Sequence, residues 1–387
     1  MKRRMMAAAL LGSVLLGGCD TLKSTYNSWF GAPAPSGKPA ALSALPSTVN
    51  VRVLWKGEVG AAGRTVLFPM VNGNTVWVAA ANGQIARFNV ASGSSVARFS
   101  AGQPVTSGVG ASSTAVAVGS ARGELLVFDL KGKLLWKAQV PGELLAPPVV
   151  DGDVVVVRVG DGAIHAYELA NGKRRWLYQR AAPSLSVRSH AGLVLSQGAV
   201  YAGFPGGRLI ALTAAGGGVV WDSVVALPKG TTELERVADV TSAPVVDDGR
   251  ACAAAFQGRT ACFDAARGAA IWARDISSFS GLGADLRNIY VTDDKGVVTA
   301  LDKASGGTLW RQDKLAGRGL TRPLAFGRFV LVGDYQGFVH FLSREDGSLM
   351  ARSATDGSAI AAGPVALDLT SFLVQTRNGG VFALTAE

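Results

Sequence analysis

The sequence predicts an all-β protein, an eight-bladed β-propeller of four-stranded antiparallel blades. Three observations carry this. A turn-and-tryptophan unit recurs along the chain, a glycine recurs about every forty residues, and the last repeat lacks a strand that the first strand of the body can supply. The clearest copy of the unit is 300–310, Ala-Leu-Asp-Lys-Ala-Ser-Gly-Gly-Thr-Leu-Trp. Val297 to Leu301 reads as a strand, Asp302 to Gly306 as a turn and Thr308 to Arg311 as the returning strand. Asp bonds its own backbone in turns, and Gly accepts positive φ.

Further copies are Asp129/Gly132/Trp136, Glu168/Gly172/Trp176, Thr213/Gly217/Trp221 and Asp264/Gly268/Trp272. Two degenerate copies, Asn89/Gly93/Ala97 and Ser343/Gly347/Ala351, carry Ala in place of Trp. The second glycine opens each repeat: Gly83, Gly123, Gly162, Gly207, Gly258, Gly296, Gly337 and Gly379, separated by 40, 39, 45, 51, 38, 41 and 42 residues. That period, with four short strands in each repeat, is the mark of propeller blades, and eight anchors predict eight blades. The eighth copy ends at Glu387 with no Trp strand. Val51 to Lys56 is the strand predicted to complete it, closing the ring and removing an open sheet edge. Trp55, Trp136, Trp176, Trp221, Trp272 and Trp310 are assigned to packing between blades, since a large flat side chain buries much area against small residues.

Three regions follow in chain order: a signal segment (1–18), a flexible linker (19–50) and the propeller (51–387). Lys2-Arg3-Arg4 precedes an apolar run too short to span a bilayer. The run ends Leu15-Leu16-Gly17-Gly18-Cys19, which resembles a bacterial lipobox and makes Cys19 the acylated first residue of the mature chain. Acyl chains contribute about 0.8 kcal/mol per buried CH₂, enough for firm attachment to a membrane. Asp20 is the residue that retains enteric lipoproteins in the inner membrane, so sorting stays open, with the outer membrane as the reading. Gly31 to Pro39 is rich in Pro, Ala and Gly, and the linker as a free coil would span roughly 30 Å.

Glycine is abundant (49 residues) and charged residues make up 17 % of the 387-residue chain. The net charge of +10 includes Lys2, Arg3 and Arg4, and the only later basic run is Lys173-Arg174-Arg175, so nucleic-acid binding is not indicated. The repeat resembles that of pyrroloquinoline-quinone-dependent dehydrogenases. It signals fold rather than chemistry, and no adjacent Cys pair, Cys-x-x-Cys, phosphate loop or nucleophile elbow accompanies it. No catalytic residue, metal or cofactor is assigned. His165 and His340 occupy matching positions three residues after their blade glycines, as surface or packing residues. Cys252 and Cys262 flank one turn as strand neighbours, either bridged in an oxidising compartment or two buried thiols.

The two longest spacings surround Gly207, placing insertions at 179–191 and 226–239, and binding groups concentrate on such loops. Pro183-Ser184-Leu185-Ser186-Val187-Arg188 and Gly230 to Asp239 resemble the corresponding loops of the BamB family, lipoproteins of the outer-membrane β-barrel assembly machinery. With the lipobox and the repeats, the resemblance covers nearly the whole chain. It implies a non-catalytic scaffold that binds the POTRA domains of BamA, meets other BAM lipoproteins indirectly, and assists folding and insertion of barrel proteins, with direct contact to unfolded barrels an open point. Carried over by position, the partner-binding residues are Leu185, Ser186, Val187, Arg188, Arg236 and Asp239. Val187 replaces a family Leu, and Thr241 stands where a second Asp is expected. The residues agree with this use. Leu185 and Val187 alternate with Ser186, as an extended segment would present two apolar side chains, and Arg188 and Asp239 offer charge-assisted bonds. The alternatives are a quinone-dependent periplasmic dehydrogenase and a glycan-binding propeller.

Overall fold

The structure, a computed structural model, describes residues 38–45 and 49–387. Cys19, the signal segment and most of the linker lie outside the described residues. Thirty-two strands among those described form eight four-stranded antiparallel sheets. Seven blades are contiguous in sequence: 70–100, 110–139, 149–178, 193–224, 245–274, 282–312 and 324–354, here blades 1 to 7. Blade 8 joins the last three strands of the chain to Val51–Glu58, which pairs antiparallel with Gly380–Ala386 from Val51↔Ala386 to Glu58↔Gly380. The innermost strands touch their neighbours all the way round, blade 8 meeting blade 1, so the ring is closed.

Within a blade the two middle strands are buried and the outer strand is half exposed. Val154–Arg158 is buried throughout, whereas Arg174–Tyr178 buries only Trp176. Three of the repeated Trp face Ala on the third strand (Ala166↔Trp176, Ala211↔Trp221, Ala300↔Trp310), Trp136 faces Val127, and a bulge follows at once in each, turning the outer strand. Its indole N–H donates to a carbonyl of the next blade's outer turn, as from Trp136 to Leu169 (2.7 Å) and from Trp272 to Lys303 (3.0 Å). The glycine of that turn forms the seat. A Cβ on Gly172 would lie 2.7 Å from the Trp136 ring, and one on Gly306 would lie 2.6 Å from Trp272.

The two Ala copies have separate causes. After Ala97, Phe99 occupies the seat over Gly132. After Ala351 there is no seat, because the outer two strands of blade 8 are the two ends of the described body and no covalent turn joins them. Val49, buried beside Ala351 and Phe372, packs there instead.

Cys252 and Cys262 face each other across the middle strands of blade 5, and their sulfurs are bonded, with the Cα atoms 4.0 Å apart. His165 and His340 are both buried, which removes the surface assignment. The described part of the linker also differs from the expected free coil. Residues 38–45 lie on blades 6 and 7, where the Ala40 N–H donates to Ala316 O and Leu42 packs on the core beneath.

Because strands alternate in direction, the loops that enter each inner strand and those joining its second and third strands emerge on one face. Both insertions belong to that face.

Candidate docking surface

The first insertion leads from blade 3 to blade 4, and the second from blade 4 to blade 5. Neither forms regular structure beyond turns, so hydrogen bonds hold their shape. In the second, Thr232 and Glu235 have capping-box spacing and behave accordingly: the Glu235 carboxylate accepts from the Thr231 and Thr232 N–H groups (2.9 and 3.1 Å), and the Glu235 N–H donates to Thr232 Oγ1. Those bonds, led by that from Thr232, hold the Glu235 carboxyl below its ordinary pKa. The turn presents Leu234, which is 57 % exposed, with Leu227 nearby in sequence at 65 %. Arg236 is exposed, with no side-chain hydrogen bond or ion pair among the described residues.

The two insertions are tied together. The Ser184 hydroxyl donates to Glu233 (3.0 Å), and the Val187 N–H donates to Asp239 Oδ2 (2.7 Å). Leu185 is 45 % exposed and Ser186 is exposed, whereas Val187 is half-buried against a crevice shared with Leu145, Arg158 and Asp239. Leu185 and Val187 therefore do not form an equally exposed pair. Arg188 is exposed and already engaged: its Nε lies 2.9 Å from Oε2 of Glu143, in the loop entering blade 3.

Asp239 requires correction as a surface contact. It is 3 % exposed, and both carboxylate oxygens are used internally, Oδ2 by Val187 and Oδ1 by the Gly206 N–H (3.0 Å). Its backbone forms a bridge with Phe256. Burial raises its pKa, opposed by these two hydrogen bonds and by the nearby positive charge of Arg158. Arg158 is itself buried, donates to Ala191 O (2.9 Å) and lies over the Phe204 ring; burial lowers its pKa to about 10, so it stays charged at neutral pH. Asp239 is thus the latch that fixes the first insertion to the blade 4–5 junction. Thr241 is likewise internal, donating to Phe279 O (2.9 Å), so the missing second carboxylate removes nothing from the exposed surface.

Replacing Asp239 by Ala should cost about 2–4 kcal/mol of stability, because two N–H groups lose their acceptor and a buried arginine loses its nearby negative charge. Thermal melting and protease cleavage within 183–189 are the readouts. An unchanged melting temperature with an uncut loop would remove the latch from the account.

His190 closes the inner side of the patch. Its ring lies 6.4 Å from that of Phe68, which leads into blade 1, so this contact joins the entries of two blades that are not neighbours. Burial, reinforced by Arg188 and Arg377 against Glu143, pushes its pKa down to about 4, so it is neutral at neutral pH. The exposed chemistry is therefore three leucines on a polar rim with two arginines, suited to binding a protein surface. Leu227 and Leu234 were detectable as apolar residues in a polar insertion. Glu143 had no sequence signal, lying 45 residues from Arg188 in another loop.

A family model described as "Outer membrane protein assembly factor BamB" matches residues 81–312 and 294–387. A protein of that name from Burkholderia pseudomallei is 42 % identical over 345 residues, covering 89 % of this chain and 90 % of its own. Among solved structures, BamB from Moraxella catarrhalis superposes with a TM-score of 0.79 at 26 % identity, covering 87 % of this chain and all of that one. A quinohemoprotein alcohol dehydrogenase from Comamonas testosteroni reaches a TM-score of 0.71 at 13 % identity, covering 87 % of this chain and 76 % of its own, a likeness of fold alone.

Proposed function

This chain belongs to the BamB family of outer membrane protein assembly factors, and on that basis we propose that it is a non-catalytic scaffold that docks the POTRA domains of BamA through its two insertions. Held there, it would enlarge the assembly machinery and assist folding and insertion of barrel proteins. The observation that carries this reading is the bond from Ser184 to Glu233, which joins the two insertions beside the exposed Leu185 and Leu234, with Leu227, Arg188 and Arg236 also exposed on the same two loops. A few aliphatic or aromatic anchors within a polar rim supply most of the binding energy of such interfaces.

The test is titration of the propeller with isolated POTRA domains. Leu185→Ala should weaken binding by about 1–2 kcal/mol through lost apolar burial, with an unchanged melting temperature. Binding equal to wild type would take Leu185 out of the interface.

Membrane attachment through Cys19 belongs to the same proposal. Cys19→Ala should move the protein from the membrane to the soluble fraction or leave it uncleaved. Asp20→Ser separates the two sorting outcomes. A wild type in the inner membrane and a serine variant in the outer would overturn the outer-membrane assignment.

A further inference from the structure

Blade 7 holds a buried ionic array that the docking surface does not use. Asp334 is fully buried. Its Oδ1 accepts the N–H groups of Gln336 and Phe338 (both 2.9 Å), and its Oδ2 receives Arg318 Nε (2.8 Å) and His340 Nε2 (2.9 Å). Arg318 is 2 % exposed, and its Nη2 is held by Asp334 and Gln336. Its remaining nitrogen, Nη1, points out of the array and donates to Ala40 O in the linker (3.0 Å). Buried ion pairs add little to stability unless every donor and acceptor is met. Here one of the donors is met by a segment remote in sequence.

The segment is held at more than this point. The Ala40 N–H donates to Ala316 O (2.9 Å), and Arg352 Nη2 donates to Ser43 O (3.1 Å). Leu42 is half-buried on the core shared by blades 6 and 7. Gly317, left-handed at φ 69°, lets the linker approach: a Cβ there would lie 3.3 Å from Pro39 Cα. Three of these contacts use linker main-chain atoms, and one uses an apolar side chain. This is how an extended peptide is recognised.

We propose that blades 6 and 7 form a built-in receptor for residues 38–45, which fixes the place where the chain leaves the propeller toward its membrane anchor. Ala316 and Arg318 lie in the loop entering blade 7, on the same face as the two insertions and across the ring from them. Attachment and docking then share one face, and the span joining Cys19 to the body is 19–37 rather than 19–50. The second consequence rests on the proposed lipidation of Cys19; the receptor itself does not.

The test is hydrogen–deuterium exchange on the full chain, read at residues 38–45. In the wild type the Ala40 amide should exchange at least tenfold more slowly than an unstructured amide. Leu42→Asp, which leaves every body residue intact, should bring it to within about twofold of the unstructured rate with an unchanged melting temperature. Arg318→Lys keeps the buried charge but not the fork, and should give an intermediate loss. An unprotected Ala40 amide in the wild type would overturn the proposal, as would protection that survives Leu42→Asp. POTRA titration of Leu42→Asp separates the two readings, because its docking patch is untouched and it should bind as wild type. Binding lost while Ala40 stays protected would place 38–45 in the partner interface and overturn the receptor.

Discussion

A variant lacking residues 51–57 should aggregate and lose its cooperative melting transition. The Val51–Glu58 strand is the outer strand of blade 8 and is registered along the whole of Gly380–Ala386. Its removal bares that strand's hydrogen-bonding edge, a template for association between chains. Val381, Ala383 and Leu384 are buried in the native ring and would lie beside the open edge. Trp55 is lost as well. It is 8 % exposed, its indole N–H donates to Val90 O (2.7 Å), and it rests on Gly93 of blade 1. Removing a buried tryptophan alone costs about 3–5 kcal/mol, so the deletion weakens the one junction with no covalent crossover between its outer strands. Size-exclusion chromatography and calorimetry are the readouts. A variant that stays dispersed and melts like the wild type would show that the N-terminal strand does not close the ring.

Arg188→Glu should have the largest effect on docking. Arg188 and Glu143 are both substantially exposed, so their ion pair contributes about 0–1 kcal/mol to stability and the melting temperature should barely move. In the proposed interface the guanidinium meets a partner carboxylate away from water. Truncating one member of such a pair costs about 2–5 kcal/mol, and reversing the charge adds repulsion. The introduced carboxylate would also face Glu143, so the loop carries its own repulsion. The expected order of POTRA affinity is wild type, then Arg188→Ala, then Arg188→Glu. Equal losses for Ala and Glu would mean that the side-chain stem packs and its charge does not matter. Leu286→Ala, on the opposite face and 82 % exposed, is the control.

The blade architecture was legible because each blade repeats the same local chemistry. An opening glycine, a turn glycine and a Trp four residues after it recur whatever lies elsewhere in the chain. The exceptions needed the ring. Ala97 makes sense only once Phe99 is found over Gly132, and Ala351 only once blade 8 is seen to lack a covalent outer turn. The insertions were legible as departures from the period, but the roles of their residues were not. Asp239 looks like a surface carboxylate in sequence, and only the positions of the Val187 and Gly206 N–H groups make it a latch. The Arg318 array was invisible for the same reason, since its occupant, Ala40, lies 278 residues away.

The central claim is that the two insertions are the docking face, and site-specific photo-crosslinking in the intact membrane tests it directly. A photoreactive residue in place of Leu185 or Leu234 should give an adduct with the POTRA-bearing barrel protein, while one in place of Leu286 should give none. Adducts from position 286 with none from 185 or 234 would contradict the account, placing the partner on the other face of the propeller.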